Sequence, residues 1–362
     1  IDLPKGIEVV DLQGHTVLPG LIDMHVHLTS GGGYHGYESL KLTDERRAIL
    51  GVVHAETTLL AGFTTVRNVG AGSFGDVALR DAINEGDIPG PRTLVSGPPI
   101  GITGGHCSDN NLLPPEYGIT GEGVADGPWA ARTAVRTNIK YGADLIKTCS
   151  TGGVMSKGTK VGAPQYTVEE LTALVDEAHS RGLKVASHAH GAEGIINALI
   201  AGADTIEHAS FINDEGIALS IERGAALSMD IYVTEYILGE GASAGILEES
   251  LEKERKTGAT QRSNFTKAVN AGATLVFGSD AGVYPHGQNA KQFSRMTRFG
   301  MTPLQAIQSA TITAAEVLGL EYDVGKIKAG YAADFVAVKG NPLQNIELLE
   351  EPAAVIKGGV RY

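Results

Sequence analysis

The chain has 362 residues, 42% of them hydrophobic, and a formal net charge of −13. Its length suits one large α/β barrel, and its acidity argues against nucleic acid or an anionic membrane surface as partner, since both need basic patches. Two cysteines, Cys107 and Cys149, exclude a disulfide framework and a cysteine-rich zinc module but leave room for one bridge.

No apolar run approaches the roughly 20 residues that span a bilayer. The chain opens at Ile1 rather than Met. A removed leader or N-terminal segment is therefore expected, and the compartment stays open.

In chain order, a strand-like piece, Ile7-Glu8-Val9-Val10-Asp11-Leu12, comes first. Apolar or β-branched runs follow at 18–27, 64–69, 92–97, 143–149, 183–189, 204–209, 225–231 and 273–279. Helix-like stretches separate most of them, as at 191–201 and at 167–181, where Thr167-Val168-Glu169-Glu170 is a capping-box start. Ala61-Gly62, Tyr141-Gly142, Ala201-Gly202 and Ala271-Gly272 each read as a helix end, a glycine cap and the approach to the next strand. Eight strands with crossover helices predict an α/β fold, a (β/α)8 TIM barrel over residues 18–323. Residues 1–17 and 324–362, with strand-like pieces at 333–338 and 353–357, predict a small β-sandwich domain built from both chain ends. The N-terminal share is too short for a complete sheet, so preceding strands are expected.

Barrel enzymes carry their chemistry at the C-terminal ends of the strands. The first strand ends in His25-Val26-His27, and alternation turns both imidazoles to one face. The fourth carries Lys147 inside an apolar run; lysine is rarely buried unless paired, and here it suits a carbamate-forming role. The fifth ends in His188-Ala189-His190, again on one face, with the deeper residue better placed for a metal. The sixth ends in His208 and the eighth in Gly278-Ser279-Asp280-Ala281-Gly282. Singly, His208 reads as a core histidine and Asp280 as a turn aspartate. Five ligand-bearing strand ends in register do not read as coincidence.

Pro19-Gly20-Leu21-Ile22-Asp23-Met24-His25-Val26-His27, Lys147, the two later histidines and Gly278-Ser279-Asp280 together resemble the amidohydrolase superfamily. More narrowly, the chain resembles its prolidase-like branch of Xaa-Pro and Xaa-Arg dipeptidases and ochratoxin-hydrolysing enzymes. The resemblance extends through Thr313-Ala314-Ala315-Glu316-Val317-Leu318-Gly319 and the segment 325–334. It implies His25, His27 and Asp280 on a buried metal, His188 and His208 on an outer one, and Lys147, N-carboxylated by CO2 or bicarbonate, bridging them. The nitrogen and oxygen donors fit two Zn2+ best and also admit Mn2+ or Co2+. Asp280 would be the catalytic base and then the acid.

His106, in the loop after the third strand where members of that family meet the substrate, is a candidate substrate contact; so by position are His190, two residues beyond His188, Tyr232 after strand seven and His286 after strand eight. Arg67 fits either a substrate carboxylate or a structural ion pair, and the Gly-rich segment 97–126 reads as a lid or pocket wall. The expected substrate is a small amide: a dipeptide, an N-acyl amino acid or an ochratoxin-like phenylalanine conjugate, cleaved to release a C-terminal amino acid. The alternatives are cyclic-amide hydrolysis or deamination, which a mononuclear site without the lysine would favour, and a catalytically silent scaffold. The resemblance also implies a homo-oligomer.

Overall fold

A computed structural model describes Gly6 and residues 9–107 and 111–362. Strand β1 spans His15–Pro19. Eight parallel strands follow: β2 Leu21–Val26, β3 Phe63–Asn68, β4 Arg92–Val95, β5 Leu145–Cys149, β6 Lys184–Gly191, β7 Thr205–Phe211, β8 Ala226–Ser228 and β9 Leu275–Val276. They pair in the orders β2-β3-β4 and β5-β6-β7-β8-β9. Backbone hydrogen bonds stitch the seams: Asp144 N–H to Val95 O and Ile100 N–H to Lys147 O on one side, Met24 N–H to Phe277 O and Asp280 N–H to His25 O on the other. The result is a (β/α)8 barrel. Every residue of β2, β3 and β5 is buried, as a parallel sheet covered on both faces requires.

Local chemistry sets the crossover units. The Val168–His179 helix starts on a capping box between Thr167 and Glu170. Gly202 and Gly272 end the helices before β7 and β9 at φ 97° and 77°, a left-handed cap that glycine adopts without strain.

Strand β1 pairs antiparallel with β10 (Phe335–Lys339), which pairs with β11 (Ala354–Lys357) and then β12 (Val360–Arg361). Two local details differ from expectation. Ile7 and Glu8 lie outside the described residues, and 9–12 form no strand. The run 18–27 is not one strand: the chain leaves the small sheet and enters the barrel at Gly20, where a Cβ would lie 2.0 Å from Thr64 Oγ1. Among the described residues the small domain is a four-stranded sheet. Val336 and Val338 on one face join the barrel core. Ala337, Ala354 and Ile356 on the other face pack with Leu12 and Phe335.

On either side of 108–110, the segment 97–126 is tied to its surroundings. Ile100 bridges to Thr148, Gly101 to Val124, and Cys107 is disulfide-bonded to Cys149 at the end of β5. Among the described residues no helix is long and apolar enough to cross a membrane.

Candidate metal centre

The apolar run of β2 delivers His25 and His27 to the C-terminal mouth of the barrel. Their Nε2 atoms both lie 3.4 Å from Asp280 Oδ1. Two ligands about 2.0–2.1 Å from one ion in a tetrahedron are about 3.3–3.4 Å apart, so each imidazole stands at ligand spacing from Asp280. Asp280 sits at φ 59°, a left-handed turn that aspartate tolerates better than most residues. Burial would raise its pKa, but the His25, His27 and His208 imidazoles override that and hold it well below the usual carboxylate range.

His25 is oriented from across the barrel. Its Nδ1 donates to Glu207 Oε2 at 2.9 Å, which assigns the proton to Nδ1 and turns the Nε2 lone pair toward Asp280. Burial, and next the Lys147 charge, lower the His25 pKa to about 4. His27 Nδ1 donates to Gly70 O at 3.3 Å with the same effect on tautomer. Arg67 in turn holds Glu207: its guanidinium reaches Glu207 Oε1 at 2.7 Å, Thr205 Oγ1 at 2.8 Å and Met24 O at 2.6 Å. Of the two roles left open for Arg67, the structural ion pair is the one observed.

His188, His190 and His208 form a second cluster whose ligand-type nitrogens lie within 4.8 Å of one another, and His208 also groups with His25 and Asp280. His208 and Ala209 have φ 69° and 46°, which breaks strand alternation and lets adjacent Glu207 and His208 both serve the site. His208 Nδ1 donates to Asp230 Oδ1 at 2.9 Å; Gln261 Nε2 bonds the same oxygen at 2.9 Å and His208 O at 3.1 Å. Burial opposes the His208 charge, but Asp230 outweighs it and raises the pKa. His190 Nδ1 pairs with Ser210 Oγ at 2.8 Å.

The decisive atom is His188 Nε2, which is buried and has no hydrogen-bond partner among the described residues. Such atoms are rare because leaving one unsatisfied costs about 1–3 kcal/mol, and a metal would satisfy this one. Lys147 lies buried in the same cavity, its pKa lowered to about 8 by burial against the opposing charges of Glu207 and Asp280. At neutral pH a larger share of this amine is therefore unprotonated and able to take up CO2. The donors fit a pair of divalent ions, with nitrogen and carboxylate oxygen and no thiolate.

One cavity joins His25, His27, His106, Lys147, His188, His190, His208 and Asp280. The His106 ring stacks on His188 at 4.1 Å, and its Nδ1 meets Ser156 Oγ at 2.7 Å. Val69, Val154, Met155, Val233, Ile237 and Val283 give it an apolar share of wall, with Ser210, Asp230, Glu254, Thr257 and Gln261 on the rest. Tyr232 and His286 do not line it. Tyr232 packs edge-on against Tyr284 with its hydroxyl 3.3 Å from Gln288 Oε1. His286 stacks on His54 and donates to Ser30 O at 3.0 Å, bracing the loop after β2. Sequence reasoning missed Glu207, Asp230 and Gln261; Asp230 at the seventh strand end was a readable signal, whereas Gln261 in mid-helix carried none.

The amidohydrolase family profile matches residues 16–361. The ochratoxinase of Aspergillus niger is 32% identical over 385 residues, covering 99% of this chain and 78% of its own length. Among solved structures, a Xaa-Pro dipeptidase with methionine bound in its active site matches with a TM-score of 0.92 and 40% identity, over 100% of this chain and 90% of that one. The A. niger ochratoxinase structure matches at 0.87 and 30% identity, over 96% and 83%. Barrel, converging strand ends and near-complete coverage agree: the chain belongs to the amidohydrolase family, in its prolidase-like branch, and is a hydrolase of C–N bonds.

Proposed function

We propose that this protein is a binuclear metal-dependent amidohydrolase that cleaves a dipeptide, an N-acyl amino acid or an ochratoxin-like phenylalanine conjugate and releases a C-terminal amino acid. The observation that carries the proposal is the unpartnered Nε2 of His188 in the cavity where His25 and His27 each stand at ligand spacing from Asp280. His25, His27 and Asp280 would hold one ion, His188 and His208 the other, and Lys147 as its carbamate would bridge them. When bound, the ions supply a water of lowered pKa and a polarised scissile carbonyl.

The chain's own residues do the rest. Asp280 accepts the proton of the attacking water and passes it to the leaving amine. Glu207 and Asp230 fix the Nδ1–H tautomers of His25 and His208. His106 and His190 face the cavity as hydrogen-bonding groups for the substrate carbonyl or carboxylate. The apolar share of the wall packs against apolar parts of a substrate and excludes water there. Two relatives support the class: one is an ochratoxinase, and the dipeptidase holds methionine, a free apolar amino acid.

The test is a set of dipeptides and N-acyl amino acids differing only in the C-terminal residue, offered to wild type and Asp280→Asn. Wild type should release the C-terminal amino acid from at least one member of the set. Asp280→Asn should keep the fold and lose roughly 10²–10⁴-fold in kcat. Turnover by Asp280→Asn at the wild-type rate would contradict the role of Asp280, and no release from any member of the set would contradict the function.

A further inference from the structure

The Glu248–Ala271 helix presents one acid to the catalytic cavity that the chemistry above does not use. Glu254 is 3% exposed, and its buried Oε1 has no well-aligned hydrogen bond among the described residues; the Thr234 hydroxyl is the one donor beside it. The other carboxylates lining the cavity are occupied: Asp280 by His25 and His27, Asp230 by His208 and Gln261. The nearby cations are also committed elsewhere. Arg262 bonds Ile231 O and Glu235, and Lys253 bonds Glu249 and Ser156 O.

Room has been left for this carboxyl. One turn on, at Gly258, a Cβ would lie 2.8 Å from Glu254 Oε1 and 2.4 Å from Thr234 Cγ2. A mid-helix glycine costs about 1 kcal/mol against alanine, and burying a carboxyl away from any cation also costs, so folding alone favours neither residue. Val233 and Ile237 line the same cavity and offer apolar surface to the stem of a ligand whose head meets the acid.

We infer that Glu254 is a specificity residue that receives a protonated amine of the substrate, either the α-ammonium of a dipeptide or an ammonium on a substrate side chain. This rests on the amide-hydrolase function proposed above and selects within it, favouring substrates with a cationic nitrogen over N-acyl amino acids without one. Burial pushes the Glu254 carboxyl up to about 7, so an incoming ammonium would draw it into its charged form.

Two matched pairs separate the two sources of the amine. Alanyl-leucine against propanoyl-leucine tests the α-ammonium, and alanyl-lysine against alanyl-norleucine tests the side chain. For the metal-loaded enzyme, kcat/KM should favour the cationic member of one pair by at least about tenfold, the lower end for a charge-assisted hydrogen bond. In Glu254→Gln, which keeps the shape, and Glu254→Met, which keeps the length, that ratio should fall toward one. Equal kcat/KM within both pairs for wild type, or a ratio unchanged by both substitutions, would overturn the inference while leaving amide hydrolysis standing. Failure of wild type to cleave any of the four would overturn the proposed function and this inference with it.

Discussion

Glu207 is the residue whose removal tests most sharply how the protein supports its site. It is fully buried, accepts from His25 Nδ1 at 2.9 Å, and neutralises Arg67, itself 4% exposed, at 2.7 Å. In Glu207→Gln the shape survives but Arg67 keeps a buried charge with no anion to balance it, since Met24 O, Thr205 Oγ1 and the new amide are all neutral. Breaking a buried pair on one side costs roughly 3–5 kcal/mol. Against a total stability of about 5–15 kcal/mol, that is a drop in melting temperature on the order of 10 °C. His25 also loses the carboxylate that fixes its tautomer, which should weaken metal binding by roughly 10–100-fold. Thermal unfolding of the metal-free protein reads the first effect, and chelator competition for the metal reads the second. Unchanged melting together with unchanged metal affinity would refute the claim that Glu207 couples Arg67 to His25.

Acid should destabilise the metal-free protein well above the usual carboxylate range. Burial first, and neighbouring positive groups next, lower His25 to about 4 and His106 and His286 to about 3, against 6.5 unfolded. Between those values the unfolded chain binds more protons than the folded one, so stability rises with pH from about 3–4 to 6.5 and is lost as pH falls through that window. His208, whose pKa is raised, contributes with the opposite sign and offsets part of this. Urea midpoints measured from pH 7 down to 4 should fall steadily; a flat profile would contradict the assignment of buried neutral imidazoles.

The barrel was legible because its signals are local. Apolar runs, a capping box at Thr167 and glycines after helix ends all act within a few residues, and parallel strands buried on both faces leave little else for such runs to do. His25, His27, Lys147, His188, His208 and Asp280 were visible because each sits at a strand end. What supports them was not, because it comes from far along the chain: Glu207 is 182 residues from His25. The left-handed turns at His208 and Asp280 are equally silent in sequence, since neither is glycine.

Tyr232 and His286 misled for a related reason. Proximity to a strand end does not fix side-chain direction, and both serve the packing of neighbouring loops. The switch at Gly20 was hidden because Val17-Leu18-Pro19 and Leu21-Ile22 read as one apolar run across two sheets. The small antiparallel domain was legible from its alternating strands, though these do not say that the barrel core meets Val336 and Val338.

The central claim is that these strand ends assemble a bridged pair of divalent ions, and the metal content of protein purified with bicarbonate and divalent metal tests it directly. Wild type should carry two ions per chain, and Lys147→Met, which cannot form the bridging carbamate, should carry clearly fewer while remaining folded. Fewer than one ion per chain in the wild type, or two in Lys147→Met, would contradict the account.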